Sequence, residues 1–124
     1  MGEKENKVKM ACLNTLHANK YEAWLYNNQA TPIFKPMNIF GKWYQVLMGW
    51  RKNTYNRTGV ADIIVILPGG RAGFIEAKQG RNKQQDNQKD FEKDVTAKGA
   101  LYMVVYSVEE MVEKMAKEGY PCQS

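Results

Sequence analysis

Apolar residues fall at Val8, Cys12 and Leu16, an i, i+4, i+8 stripe that predicts a helix over residues 3–17. Residues 21–28 (YEAWLYNN) are aromatic-rich and read as a strand. Residues 29–58 follow no single period. Pro32, Pro36, Gly41 and Gly49 punctuate them, and KWYQVLMGW fits either a strand or a short helix. From Gly59 the pattern sharpens. GVADIIVIL (59–67) predicts a buried strand, Pro68-Gly69-Gly70 a turn, and RAGFIEAKQ (71–79) the returning strand. Gln84, Gln88, Phe91 and Val95 align along a helix over 83–98 that Gly99 ends. ALYMVVY (100–106) is apolar throughout and predicts a central strand. Ser107 with Glu110 suggests a capping box opening a last helix, whose buried stripe is Val108, Met111, Val112 and Met115. The order is α-β-(excursion)-β-β-α-β-α, an α/β chain.

Three charged residues break this pattern. Asp62 interrupts one strand, and Glu76 and Lys78 interrupt the next. An unpaired carboxylate in a buried strand is unfavourable, so something must compensate it. A hairpin folded at Gly69, midway between 62 and 76, sets Asp62 opposite Glu76, with Cβ atoms about 5 Å apart. Glu76 and Lys78, two apart, share that face. Carboxylates this close repel unless a cation lies between them, and a hard divalent ion takes a few carboxylate oxygens. On spacing alone the three residues also fit an ion-pair cluster at a strand end. Gln88 lies on the inward stripe of its helix or at the stripe's edge. Glu5 shares the face of Val8, as a site carboxylate or as an acid favoured by the helix dipole. Glu22 is a rival for that auxiliary role.

Composition narrows the class. The chain has 124 residues with 44% apolar and 25% charged, which fits one domain spanning 1–124 and a real core. The longest apolar run, Ile63–Leu67, is far too short to span a membrane. No apolar signal region is visible in MGEKENKVKM, so a cytoplasmic setting is expected. Cys12, Cys122 and His17 are too few and too scattered for a structural zinc or a cysteine–histidine enzyme. Cys12 is expected to be buried and Cys122 exposed at the tail, with no disulfide between them.

The net charge of +5 is concentrated in one place. From Ala23 to Ala61 there is no acid, and this stretch carries Lys35, Lys42, Arg51, Lys52 and Arg57. Interleaved with them are Phe34, Phe40, Trp43, Tyr44, Trp50 and Tyr55. Cations attract phosphates and aromatic rings offer faces to bases, so these residues are candidate nucleic-acid contacts. A solvated basic surface over an ordinary aromatic core is the alternative.

The pattern D-x13-E-x-K resembles that of the PD-(D/E)XK nucleases. Gly59-Val60-Ala61-Asp62, Phe74-Ile75-Glu76-Ala77-Lys78, a helical Gln88, Gly99 and the run Val104 to Glu110 make it similar to the VRR-NUC (virus-type replication-repair nuclease) family. The first helix, with Glu5, is similar to that family's first helix. Ala61 departs from the usual proline, and residues 29–58 match only loosely.

The resemblance implies a stand-alone, phage-type nuclease with a restriction-endonuclease-like core, a mixed sheet flanked by helices. It implies Mg²⁺ or Mn²⁺ held by Asp62, Glu76 and the Ala77 carbonyl, with Lys78, Gln88 and Glu5 completing the site. No small-molecule cofactor is expected. DNA is the expected partner, with branched DNA such as a Holliday junction favoured. A junction resolvase must cut twice, which calls for a homodimer. Flaps, nicked duplexes and single strands are alternative substrates, and a non-catalytic nucleic-acid-binding module is the alternative of another class.

Overall fold

Cys12 and Leu16 are wholly buried and Val8 packs beside them, so the predicted stripe is the inner face of helix α1 (Glu3–Ala18). The computed structural model describes residues 3–26, 31–51 and 57–123, without the side chains of residues 3–5 and 31. Its chain forms two compact units, Met1–Asn27 with Thr58–Ser124, and Asn28–Arg57.

The larger unit is α/β, with a mixed sheet flanked by helices. Its strands are β1 (Glu22–Leu25), β4 (Ile63–Leu67), β5 (Arg71–Ala77) and β6 (Leu101–Val105), lying side by side in that order. β1–β4 and β4–β5 are antiparallel, and β5–β6 is parallel. The parallel step needs a crossover, which helix α2 (Asp86–Ala97) supplies. Helix α3 (Val108–Lys117) follows β6.

Alternation along the strands separates two cores. Ile63, Val65, Leu67, Ile75, Leu101, Met103 and Val105 pack on one face with Cys12 and Leu16 of α1 and Met111 and Met115 of α3. Phe74 and Tyr102 project from the other face, where Phe91 anchors α2. The Phe74 and Phe91 rings meet edge to face, 4.9 Å apart at 88°.

Several expectations are corrected. β4 begins at Ile63, so Asp62 stands at the strand's entry, not within it. β6 is an edge strand of the described sheet, not a central one. Its run is apolar because helices cover both its faces. Its carbonyl edge is protected at Val104, whose oxygen accepts from Lys114 Nζ at 2.7 Å. α2 starts at Asp86, which leaves Gln84 outside it. Ser107 caps α3 by accepting from Glu110 N, but the Glu110 carboxylate reaches Tyr106 N and not Ser107 N. Cys122 is buried: Asn19 and Gln123 exchange two hydrogen bonds, Tyr21 donates to the Pro121 carbonyl, and the tail is drawn onto the core. Both cysteines are free thiols.

The smaller unit contains an antiparallel hairpin of β2 (Thr31–Ile39) and β3 (Lys42–Arg51). KWYQVLMGW is therefore strand. Both strands of a two-stranded ribbon are edges, so Pro32 and Pro36 can sit in β2 with their nitrogens turned away from the partner. Met48 has no partner in the ladder, a bulge between Gly49 and Leu47. The turn is Phe40-Gly41, both left-handed (φ 51° and 84°), and Asn38 Oδ1 accepts from Gly41 N. Left-handed backbone costs about 1 kcal/mol for a residue with a Cβ. Glycine, asparagine or aspartate would be usual at Phe40's position.

Candidate active site

The β4–β5 ladder pairs Ile63 with Ile75, so one step further sets Asp62 opposite Glu76. This is the pairing expected from a hairpin centred on Gly69. Asp62 Oδ2 accepts from Ala77 N at 3.0 Å, and its own carbonyl accepts from Tyr26 N at 2.8 Å. The carboxylate is thus held from the β5 side, and the Asp62 backbone from the β1 side. Beyond β5, Lys78 N donates to Val105 O at 2.9 Å, which continues the parallel ladder and keeps Lys78 on the face of Glu76.

Glu76 and Lys78 are the buried charged residues of the described chain, 4% and 8% exposed. Lys78 Nζ lies 3.6 Å from Glu76 Oε1, an ion pair without hydrogen-bond contact. Gln88 Nε2 donates to the same oxygen at 3.0 Å. The other oxygen, Glu76 Oε2, is buried and has no hydrogen-bond partner among the described residues. Burial raises the Glu76 carboxyl from 4.5 to about 7; the Asp62 carboxylate adds to the rise and Lys78 opposes it.

Gln88 is fixed from behind. It is the third residue of α2, and its Oε1 accepts from Gln85 N at 2.8 Å while Gln85 caps the Gln88 N–H in return. Gly59, at φ 80°, brings the entry to β4 against this helix start. A Cβ there would lie 2.3 Å from the Asn87 carbonyl oxygen. Glycine is therefore what allows Asp62 and Gln88 to approach the same carboxylate. Beside them, Gln84 Nε2 donates to Glu92 at 3.0 Å and to the Tyr102 hydroxyl at 3.2 Å. Burial pushes that hydroxyl up to about 12. Gly59, Gln84 and Tyr102 were not singled out from the sequence as site residues. The signal for Gly59 was its place three residues before Asp62.

Asp62, Glu76, Lys78 and Gln88 therefore come together on one sheet face, with Ala77 between two of them. Glu22 does not join them. It pairs with Ile66, four residues along β4 from Asp62, or about 13 Å at strand rise. Glu5 lies in α1, which packs on the opposite face, and its side chain is outside the described residues. Lys52 is outside them too. Lys35, Lys42, Arg51 and Arg57 are exposed in the smaller unit. His17 Nε2 donates to the Ala23 carbonyl at 2.7 Å, which gives that ring a structural task at the α1–β1 connection. Burial lifts the Cys12 thiol to about 12, so it is no nucleophile.

Among the described residues no three or more of His, Cys, Asp and Glu are grouped to hold a metal ion. The Asp62–Glu76 pair is a set of two hard oxygen donors, within what a Mg²⁺ site takes from protein. A buried carboxylate oxygen that no N–H reaches, set beside a second carboxylate, fits a shared cation better than a closed ion-pair cluster, where both oxygens would accept from donors. Chemically, the arrangement can bind a hard cation and present an ammonium beside it.

Compared with protein-family models, curated proteins and solved structures, the chain finds no match in any of the three. Among the described residues no helix is long and apolar enough to cross a membrane.

Proposed function

We propose that this chain is a divalent-metal-dependent DNA endonuclease with a PD-(D/E)XK core of the VRR-NUC kind, acting in a cytoplasm. The observation that carries the reading is Glu76 Oε2, buried beside a second carboxylate with no N–H donating to it among the described residues. Asp62 and Glu76 would hold Mg²⁺ or Mn²⁺, with the Ala77 carbonyl as a further donor. When bound, the ion supplies Lewis acidity, which neutralises charge on a phosphodiester and makes water a better nucleophile.

The chain's own residues do the rest. Lys78 brings an ammonium to the face of Glu76, where it can orient water or stabilise charge on a phosphoryl oxygen. Gln88 holds the Glu76 carboxylate in one orientation. Asp62 is kept in place by the Ala77 amide.

The substrate proposed is branched DNA, such as a Holliday junction. One site per chain makes two cuts only as a pair, so the active species is proposed to be a homodimer. The test is a cleavage assay with Mg²⁺ or Mn²⁺ on junction, flap, nicked and linear DNA, with Lys78→Ala and Glu76→Ala alongside and the oligomeric state measured at working concentration. Cleavage of the junction by the wild type, lost in both variants, is the expected result. Absence of metal-dependent cleavage of every DNA tested sinks the enzyme reading. Junction cleavage by a monomer sinks the paired-site reading alone.

A further inference from the structure

The hairpin register sorts its side chains onto two unlike faces. Ile33, Lys35, Met37 and Ile39 alternate on one face of β2, opposite Gly49, Val46, Tyr44 and Lys42, and Arg51, two residues on from Gly49, continues that face. All three cations of the two strands therefore share a face. The other face has Phe34 opposite Leu47, Asn38 opposite Trp43, and Pro32 opposite Trp50. It carries no charge. Trp43 and Trp50 are 70% and 62% exposed, and Phe40 at the tip is fully exposed.

This arrangement does little for the fold. A two-stranded ribbon is marginal in water, and an apolar surface this continuous is unusual unless something binds it. Phe40 is the plainest case. Its ring buries nothing, and its backbone occupies a region that a bulky side chain disfavours. Strain of this kind is held at functional positions.

We propose that the hairpin is an arm for single-stranded DNA. The strand passes round the ribbon at its tip: the Lys35, Lys42 and Arg51 face holds backbone phosphates on one side, and Phe34, Trp43 and Trp50 on the other side, with Phe40 at the tip, stack on unpaired bases. The charge argues for a polyanion: no acid occurs from Ala23 to Ala61. The uncharged aromatic face argues for exposed bases, because a continuous duplex hides the base faces that a single strand or an open branch point offers. The proposal rests on the nuclease reading only in taking the polyanion to be DNA.

The test is binding of the full chain, with metal chelated so that cleavage plays no part. The probes are a labelled oligodeoxythymidylate and a duplex of equal length, read by anisotropy and tryptophan fluorescence. The single strand should bind more tightly than the duplex and quench the tryptophans. Phe40→Ala with Trp43→Ala should weaken single-strand binding by about tenfold or more, leaving the salt dependence unchanged. Replacing Lys35, Lys42 and Arg51 with alanine should instead lower the salt slope by about 2.

Equal affinity for both probes, or an aromatic variant that binds normally, overturns the proposal. So does an aromatic variant that turns a dimer into a monomer with DNA affinity intact, which would make the arm a self-association surface. The expected binding pattern in a protein that cleaves no DNA removes the nuclease reading and leaves the arm. Cleavage with normal binding by the aromatic variant removes the arm and leaves the nuclease.

Discussion

Gln88 meets Glu76 through its amide nitrogen because its amide oxygen is already engaged. Oε1 accepts from Gln85 N at 2.8 Å, and Nε2 donates to Glu76 Oε1 at 3.0 Å. One side chain thus starts a helix and orients a carboxylate. Gln88→Ala should remove both contacts, lowering stability by about 1–2 kcal/mol and cleavage by roughly 10–100-fold. Gln88→Glu keeps the capping acceptor but turns a carboxylate on Glu76, so it should recover helix stability without recovering cleavage. Urea unfolding and single-turnover rates separate the two effects. A Gln88→Ala protein with normal cleavage would reduce Gln88 to a cap.

The Glu76 carboxyl is pushed up to about 7 chiefly by burial. Its folded form therefore holds a proton more tightly than the unfolded chain, whose value is 4.5. The sign follows: this contribution to stability is full below pH 4.5 and is lost as pH rises through about 7. Its size is roughly 3 kcal/mol. Glu76→Gln is neutral at every pH, so the stability difference between variant and wild type should grow in the variant's favour across this window. Urea unfolding from pH 4.5 to 8 measures it. Curves that stay parallel would mean that Glu76 titrates elsewhere.

A proton and a divalent ion compete for the same carboxylates. Mg²⁺ or Mn²⁺ should therefore raise the melting temperature of the wild type more at pH 8 than at pH 6, on either side of the Glu76 value of about 7. Asp62→Asn and Glu76→Gln should each lose the gain. Lys78→Ala removes a cation from the Glu76 face, so it should keep or strengthen metal binding while losing cleavage. Titration calorimetry beside the cleavage assay tests this split. Equal metal responses in wild type and Asp62→Asn would place the ion elsewhere.

Much of the site was legible because a hairpin is a geometrically strict object. Gly69 fixed the register, and the register paired Asp62 with Glu76. What failed was inference from apolarity alone. The Leu101–Val105 run reports two covered faces, which an edge strand between two helices has as fully as a central strand. The start of α2 was misplaced because Gln84 falls in helical phase with Gln88, while the reciprocal caps of Gln85 and Gln88 set the boundary. Burial of Cys122 depends on Asn19, over a hundred residues away, and no local pattern carries that. The β2–β3 hairpin was illegible for a different reason: neither face is buried, so no period of two marks an inside.

Gly59 tests whether the entry to β4 positions the site. A methyl group there would meet the Asn87 carbonyl at 2.3 Å, in backbone that cannot rotate away, and φ is 80°. Gly59→Ala should destabilise the protein by about 3 kcal/mol through clash and strain together. Gly69→Ala supplies the control. Its φ is 86°, but nothing lies within 4 Å of the added Cβ, so only the strain of about 1 kcal/mol applies. Adjusted to equal folded fraction, Gly59→Ala should also cleave more slowly, because relieving the clash moves either Asp62 or the start of α2 that carries Gln88. Gly69→Ala should cleave normally. Equal cleavage by the two variants would show that the Gly59 contact serves stability alone.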